Sequence, residues 1–88
     1  MSAQLSLGLG HADFVRMGRQ RSEVWAAMLD GRWWTLAELE ATTRAPQASI
    51  SARLRDFRRP KYGGHTVERR RRYGPSYATW EYRLIPSL

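Results

Sequence analysis

The first half of the chain contains two short stretches in which apolar residues recur at helical spacing. In the first, one stripe is formed by Val24, Trp25, Met28 and Leu29. We predict a helix there with Ser22 as its N-cap, because a serine hydroxyl accepts from the free amides of a first turn. Its end is predicted at Asp30-Gly31. The second stretch opens with Thr35-Leu36-Ala37-Glu38, which has the form of a capping box, so we predict a short helix from there to about Thr42.

The most regular helical stripe lies further along the chain. Ile50, Leu54 and Phe57 stand at positions i, i+4 and i+7, which places all three on one helix face. We predict a third helix from about Pro46 to Arg58, with the proline tolerated at its first position. The helix is expected to end before Pro60, because the residue that precedes a proline is pushed out of the helical region.

After this helix the spacing changes from helical to alternating. Three apolar residues interleave with three polar ones: Trp80, Tyr82 and Leu84 with Thr79, Glu81 and Arg83. This alternation predicts a half-buried strand. We predict two strands, His65 to Arg72 and Ala78 to Leu84, joined around residues 73–77. Arg32-Trp33-Trp34 is predicted as a short extended segment that pairs with a later strand.

Composition limits the classes of protein to which the chain can belong. Residues 1–19 show no sustained period, so we predict a flexible N-terminal arm before one domain over residues 20–88. The chain has no cysteine and two histidines, and we therefore predict no metal site and no cofactor. No apolar run approaches the ~20 residues of a membrane span, and no signal-peptide pattern is present. We expect a soluble cytoplasmic protein without membrane contact.

Charge is strongly segregated along the chain. The net charge is +7, but residues 1–43 carry four arginines against five acids, whereas residues 44–88 carry eleven bases against three acids. Fourteen of the fifteen bases are arginine, whose planar fork matches phosphates and guanine edges. A GC-rich genome would explain the preference for arginine, but it would not explain the segregation. A polyanionic partner is therefore expected.

The predicted order of helix, short strand, helix, turn, helix and hairpin is the layout of a winged helix-turn-helix. The run from Ile50 to Arg58, together with the run from Gly63 to Arg70, resembles small winged helix-turn-helix proteins of the phage and prophage type. The resemblance covers about residues 22–84. It implies an α+β fold of three helices and a C-terminal β-hairpin wing, and sequence-specific binding of double-stranded DNA by a phage-type transcriptional regulator. Such a protein would be associated with the nucleoid or, if phage-encoded, would act in the host cytoplasm.

In this family the third helix, here residues 46–59, enters the major groove, and the wing, here residues 65–84, lies on the minor groove or the backbone. The family often has glycine at the corner between its second and third helices, where this chain has Thr43-Arg44. A non-glycine residue in a left-handed conformation costs roughly 1 kcal/mol. We therefore expect a longer or differently shaped corner.

The predicted DNA-binding residues lie on the helix face opposite the apolar stripe, at the helix end and on the first hairpin strand. They are Gln47, Ala48, Ser51, Ala52, Arg53, Arg55, Arg58, Arg59, Lys61, Arg69, Arg70, Arg71 and Arg72. Small residues let a helix approach the groove floor, while Gln47 and Arg55 fit adenine or guanine edges. Arg53 and Lys61 are candidates for phosphate contacts. The four consecutive arginines alternate between strand faces, so at most about half of them can face one partner.

Several alternatives remain open at this point. The helix face is also consistent with ordinary solvation, and the arginine run with an edge strand protected by charge. The four tryptophans fit core packing better than stacking on single strands. His65, Glu68 and a nearby arginine could in principle form the acid, base and phosphate clamp of a small ribonuclease, but nothing in their spacing supports this, so we expect no enzyme. A protein-binding adaptor, a DNA-bending architectural or excision factor, and a homodimer are further possibilities.

Overall fold

The computed structural model describes residues 18–87, which form three helices and one three-stranded antiparallel sheet. This α+β architecture is compatible with the predicted layout. The helices α1, α2 and α3 span Arg19–Met28, Leu36–Thr43 and Gln47–Arg58. The strands β1, β2 and β3 span Trp34–Thr35, Thr66–Tyr73 and Ala78–Ile85, and a 3-10 turn spans Pro60–Tyr62. Apart from Gly18 and Arg19, the predicted arm lies outside the described residues.

Helix α1 begins one turn earlier than predicted. Its N-cap is Gly18, and the Ser22 amide already donates to the Gly18 carbonyl at 3.0 Å. The prediction that Ser22 caps the helix is therefore wrong, and its side chain is buried within the helix instead. The additional turn consists of polar residues, so the apolar stripe gave no sign of it.

Helix α2 begins as predicted. Thr35 Oγ1 accepts from the Glu38 amide at 3.0 Å, and Glu38 Oε1 accepts from the Thr35 amide at 2.8 Å. This reciprocal capping box satisfies two of the amides that a helix start leaves free.

The corner between α2 and α3 differs from the prediction. Arg44 adopts a left-handed conformation, with φ 64° and ψ 13°, and its amide donates to the Glu40 carbonyl at 2.7 Å. The corner is therefore closed by one left-handed residue, and the expectation of a longer or differently shaped corner is wrong. Pro46 precedes α3 as its N-cap instead of forming its first helical residue.

We expect Arg44→Gly to raise the free energy of unfolding by up to about 1 kcal/mol, because glycine adopts this conformation without a Cβ clash. The Arg44 side chain is exposed and has no carboxylate partner among the described residues, so little else is lost. Urea denaturation measures the change. Ala41→Gly, at an exposed position inside α2, is the control and is expected to lower stability by about 1 kcal/mol. Equal losses from both substitutions would contradict strain at Arg44.

The core lies between the helices and one face of the sheet. Ile50, Leu54 and Phe57 are buried, which confirms the predicted stripe of α3. They pack with residues of α1, α2, β2 and β3, among them Val24, Trp25, Met28, Leu39, Val67 and Leu84. Because the core side of α3 is fully used, its opposite side is left to face solvent.

The strand register defines two faces of the sheet. In the order β1-β3-β2, Val67 pairs with Leu84 and Arg70 pairs with Glu81. Val67 and Leu84 are buried in the core, so we call their side the inner face; it also carries Arg69, Arg71, Trp80 and Tyr82. The outer face carries Glu68, Arg70, Arg72, Glu81 and Arg83. Strand β1 pairs with β3 through Trp34 and Thr35, so it begins two residues later and ends one residue later than the predicted extended segment.

Among the described residues, the longest helix has 12 residues, and no helix combines the length and apolar character needed to cross a membrane.

Candidate nucleic-acid interface

Ion pairing divides the cations into two groups. Eight arginines lie within 4.0 Å of a described carboxylate: Arg19, Arg21, Arg32, Arg53, Arg59, Arg70, Arg72 and Arg83. Six other cations have no such carboxylate within residues 18–87: Arg44, Arg55, Arg58, Lys61, Arg69 and Arg71. All six are exposed. The excess positive charge of the folded domain is therefore concentrated on these residues.

The outer face of the sheet neutralises two of the four consecutive arginines. Arg70 and Arg72 donate to the two carboxylate oxygens of Glu81 at 2.6 and 2.7 Å. The Glu81 side chain is only 5% exposed, because the two guanidinium groups cover it. Hydrogen bonds from Arg70 and then from Arg72 hold the pKa of Glu81 below its usual range, against the opposing effect of desolvation. The carboxylate therefore stays charged and keeps both arginines occupied.

Arg72 also connects the hairpin to the start of α2. Its Nη1 lies 3.0 Å from Glu38 Oε2, so a capping-box residue and a sheet carboxylate share one guanidinium. The hydrogen bond from Arg72 is the main cause that lowers the pKa of Glu38. Arg70 and Arg72 thus tie the hairpin to Glu81 and to α2, and their contact with DNA stays a prediction.

Trp33 is stacked between two arginines on the outer face. The guanidinium carbons of Arg70 and Arg83 lie 4.1 and 4.7 Å from the centroid of its ring. Arg83 is in turn paired with Glu68 at 2.6 Å. Trp33 is therefore not a core residue, and the outer face satisfies its own charges.

Within the part of the chain that the structure describes, the inner face leaves the other two arginines of the run without carboxylate partners. Arg69 and Arg71 both lie over the ring of Trp80, at 4.5 and 4.9 Å from its centroid. Trp80 is half-buried beneath them instead of packing in the core. The expectation that at most half of the run faces one side is confirmed, and the register identifies Arg69 and Arg71 as that half.

A groove joins this inner face to helix α3. It has a volume of about 230 Å³ and is lined by Ser51, Leu54, Arg55, Arg58, Arg69 and Tyr82. Arg58 Nη2 donates to the Val67 carbonyl at 2.6 Å, which ties the end of α3 to β2. The exposed side of α3 and the cationic side of the hairpin therefore adjoin each other.

The remaining predicted residues of α3 differ in their exposure and in whether they form a side-chain hydrogen bond. Ala48 is exposed, while Ser51, which lines the groove, and Ala52 are half-buried. Gln47 is exposed and donates to Glu40 Oε1 at 3.0 Å. Because this hydrogen bond lies on the surface, water or a base edge can replace it at little cost.

Arg53 faces the body of the protein rather than the groove. Its Nη1 donates to Gln20 Oε1 at 3.0 Å, and its Nε lies 3.0 Å from Asp56 Oδ2 as an ion pair. Asp56 also pairs with Arg21 at 2.7 Å and, weakly, with Arg59 at 3.9 Å. Arg53 thus links α1 and α3, and its contact with a phosphate stays a prediction. The i,i+3 spacing of Arg53 and Asp56 was a signal for this pair.

Two predicted residues at the end of α3 stay exposed. Arg59 is 66% exposed despite its distant carboxylate, and Lys61 lies over the ring of Tyr62 at 5.4 Å. Both remain close to the C-terminal end of α3, where a phosphate contact was expected for Lys61.

The His65 ring is half-buried and lies against both Gly63 and Trp25. Its ring centroid lies 4.5 Å from that of Trp25, and its Nδ1 accepts from the Ser87 amide at 3.0 Å. Burial lowers the pKa of His65, partly offset by a hydrogen bond with the Tyr62 backbone. Glu68 pairs with Arg83, so the histidine and the glutamate do not form the acid–base pair considered above.

Over residues 18–87, no three His, Asp or Glu side chains gather in a way that would hold a metal ion. The chain matches no protein-family profile, no curated protein and no solved structure. Its function is therefore inferred from the geometry and charge of the surface that α3 and the inner face form together.

Proposed function

We propose that this protein is a winged helix-turn-helix DNA-binding protein, a phage-type transcriptional regulator that recognises a specific duplex sequence. In this proposal α3 lies in the major groove, and the β2–β3 hairpin is the wing that follows the adjacent minor groove or backbone. The observation that carries the proposal is the location of the unpaired cations. Arg55, Arg58 and Arg69 line one groove, and Arg71 continues from it along the inner face.

The chemistry of the two elements suggests a division of roles. Arg55 is exposed, has no carboxylate partner among the residues that the structure describes and projects from α3, so its fork is free to bind the O6 and N7 atoms of guanine. Ala48, Ser51 and Ala52 are small enough to let the α3 backbone approach the base edges. Arg69 and Arg71 are exposed and lie over the ring of Trp80, so both charges are accessible to phosphates. Specificity is thus assigned to α3, and general affinity to the hairpin.

Salt dependence tests the proposal. If four of the six unpaired cations each neutralise one phosphate, a plot of log association constant against log salt has a slope of about −3.6. Affinity for duplex DNA then falls roughly a hundredfold between 50 and 200 mM salt. Fluorescence anisotropy of a labelled duplex titrated with the full chain measures this.

The competing possibility is an adaptor that binds an acidic protein through the same cations. Absence of duplex binding at low salt, or an affinity that is insensitive to salt, would favour the adaptor. The same titration at several salt concentrations therefore separates the two.

A further inference from the structure

The tip of the hairpin carries two exposed aromatic side chains that neither the core nor the cationic groove uses. Tyr73 is 73% exposed and Tyr77 is 55% exposed, the highest values among the large hydrophobic side chains of the described residues. Single exposed hydrophobic residues are ordinary on protein surfaces. Tyr73 is the last residue of β2 and Tyr77 directly precedes β3, so both tyrosines stand at the tip of one cationic hairpin.

The tip is held in one shape. The Gly74 amide donates to the Tyr77 carbonyl at 2.9 Å and closes the turn between β2 and β3. The Tyr77 ring lies directly against Gly74, where a Cβ atom would collide with it. Glycine is therefore required at position 74 for the ring to occupy its place. An aromatic ring fixed in this way loses little conformational entropy when it binds a partner.

Positive charge continues along β2 from the groove beside α3 to the tip of the hairpin. Arg69 lines the groove with α3, and Tyr73 stands four residues further along β2, about 13 Å away at the rise of a strand. Arg71 lies between them, with its guanidinium carbon 5.9 Å from the centroid of the Tyr73 ring. The whole stretch from residue 69 to residue 80 contains no acidic residue. A polyanion that follows the inner face therefore meets no repulsion before it reaches the two rings.

We propose that this tip is a wedge that enters the minor groove and partly unstacks a base step, so that the protein bends the DNA it binds. The inference rests on the proposed DNA binding and deepens it. The minor groove is about 6 Å wide and admits the edge of an aromatic ring. Side chains that insert between base steps from this groove kink the duplex by about 20–90°.

Ring closure of a short DNA fragment tests the wedge without knowledge of a target site. A 120-bp duplex is shorter than the persistence length of DNA, so it is ligated into a circle slowly unless a protein bends it. With saturating full-length wild-type protein we expect the rate of circularisation to rise about tenfold. With Tyr73→Ala/Tyr77→Ala we expect a circularisation rate close to that of free DNA. We expect the affinity for duplex DNA to fall by a much smaller factor than the circularisation rate.

Two variants serve as controls. Tyr73→Phe/Tyr77→Phe keeps both rings and is expected to bend DNA as the wild type does, because the rings and not the hydroxyls unstack the bases. Ile85→Ala removes an exposed apolar residue at the opposite end of β3 and is expected to have no effect. Circular dichroism shows whether each variant is folded.

The possible failures are distinguishable. If the wild type does not bind duplex DNA, both the proposed function and the proposed wedge are contradicted. If the wild type binds but does not accelerate circularisation, or if the double alanine variant circularises DNA as the wild type does, the wedge is overturned and DNA binding stands. Loss of self-association in the alanine variant, with bending unchanged, would assign the tyrosines to a second copy of this chain and would likewise overturn the wedge.

Discussion

Arg69→Ala/Arg71→Ala is expected to lower affinity for any duplex by about a hundredfold, at roughly tenfold for each arginine. The two side chains are exposed on the inner face and have no carboxylate partner among the described residues, so their full charge is available to phosphates. Loss of two phosphate contacts also reduces the salt slope by about 1.8. Anisotropy titrations at several salt concentrations measure both quantities.

The matched control for this variant is Arg19→Ala/Arg32→Ala. It removes the same total charge from two exposed arginines that are already paired with Glu23 and Asp30. We expect affinity to change by less than about threefold, because distant surface charges are screened at ordinary salt. Equal losses from the two double variants would show that only net charge matters and that the inner face is not the binding surface.

Arg55→Ala is expected to act on specificity instead. A bidentate contact between arginine and guanine discriminates by about 1–3 kcal/mol, so the affinity ratio between a selected site and random duplex should fall by roughly tenfold to a hundredfold. Selection of bound sequences from a random pool by the wild type supplies the site, and competition titrations then measure the ratio.

Arg55→Lys tests the planar guanidinium donors of Arg55 separately from its positive charge. Lysine keeps the positive charge but cannot offer the planar pair of donors, so affinity for random duplex should persist while the preference for the selected site declines. If Arg55→Ala weakens selected and random duplexes equally, Arg55 contacts a phosphate and base recognition lies elsewhere on α3.

The two faces of the hairpin explain why neighbouring arginines are expected to differ so much in their contribution to DNA affinity. Arg70 and Arg72 are one position away from Arg69 and Arg71, but the strand period of two turns them towards Glu81. Glu81 in turn anchors the hairpin through Arg72 to the capping box of α2. The outer face thus holds the hairpin in place beside the helices, whereas Arg69 and Arg71 on the inner face have no carboxylate partner within residues 18–87.

Local features of the fold could be predicted from the sequence. The capping box at Thr35 and the apolar stripe of Ile50, Leu54 and Phe57 depend on residues within a few positions of one another, and both are confirmed. The two hairpin strands were predicted within one residue at each end for the same reason. The polar first turn of α1 and the left-handed Arg44 were missed, because neither leaves a periodic apolar signal.

The sequence alone established the approximate positions of the helices and strands. It also established that the positive charge is concentrated after residue 43. Only the tertiary structure decided which cations are free. That decision depends on strand register and on ion pairs between distant residues, such as Glu38 with Arg72, which are 34 positions apart. Periodicity acts within one element, whereas the neutralisation of a charge depends on which elements meet, and so the location of the unpaired cations emerges only when the chain has folded.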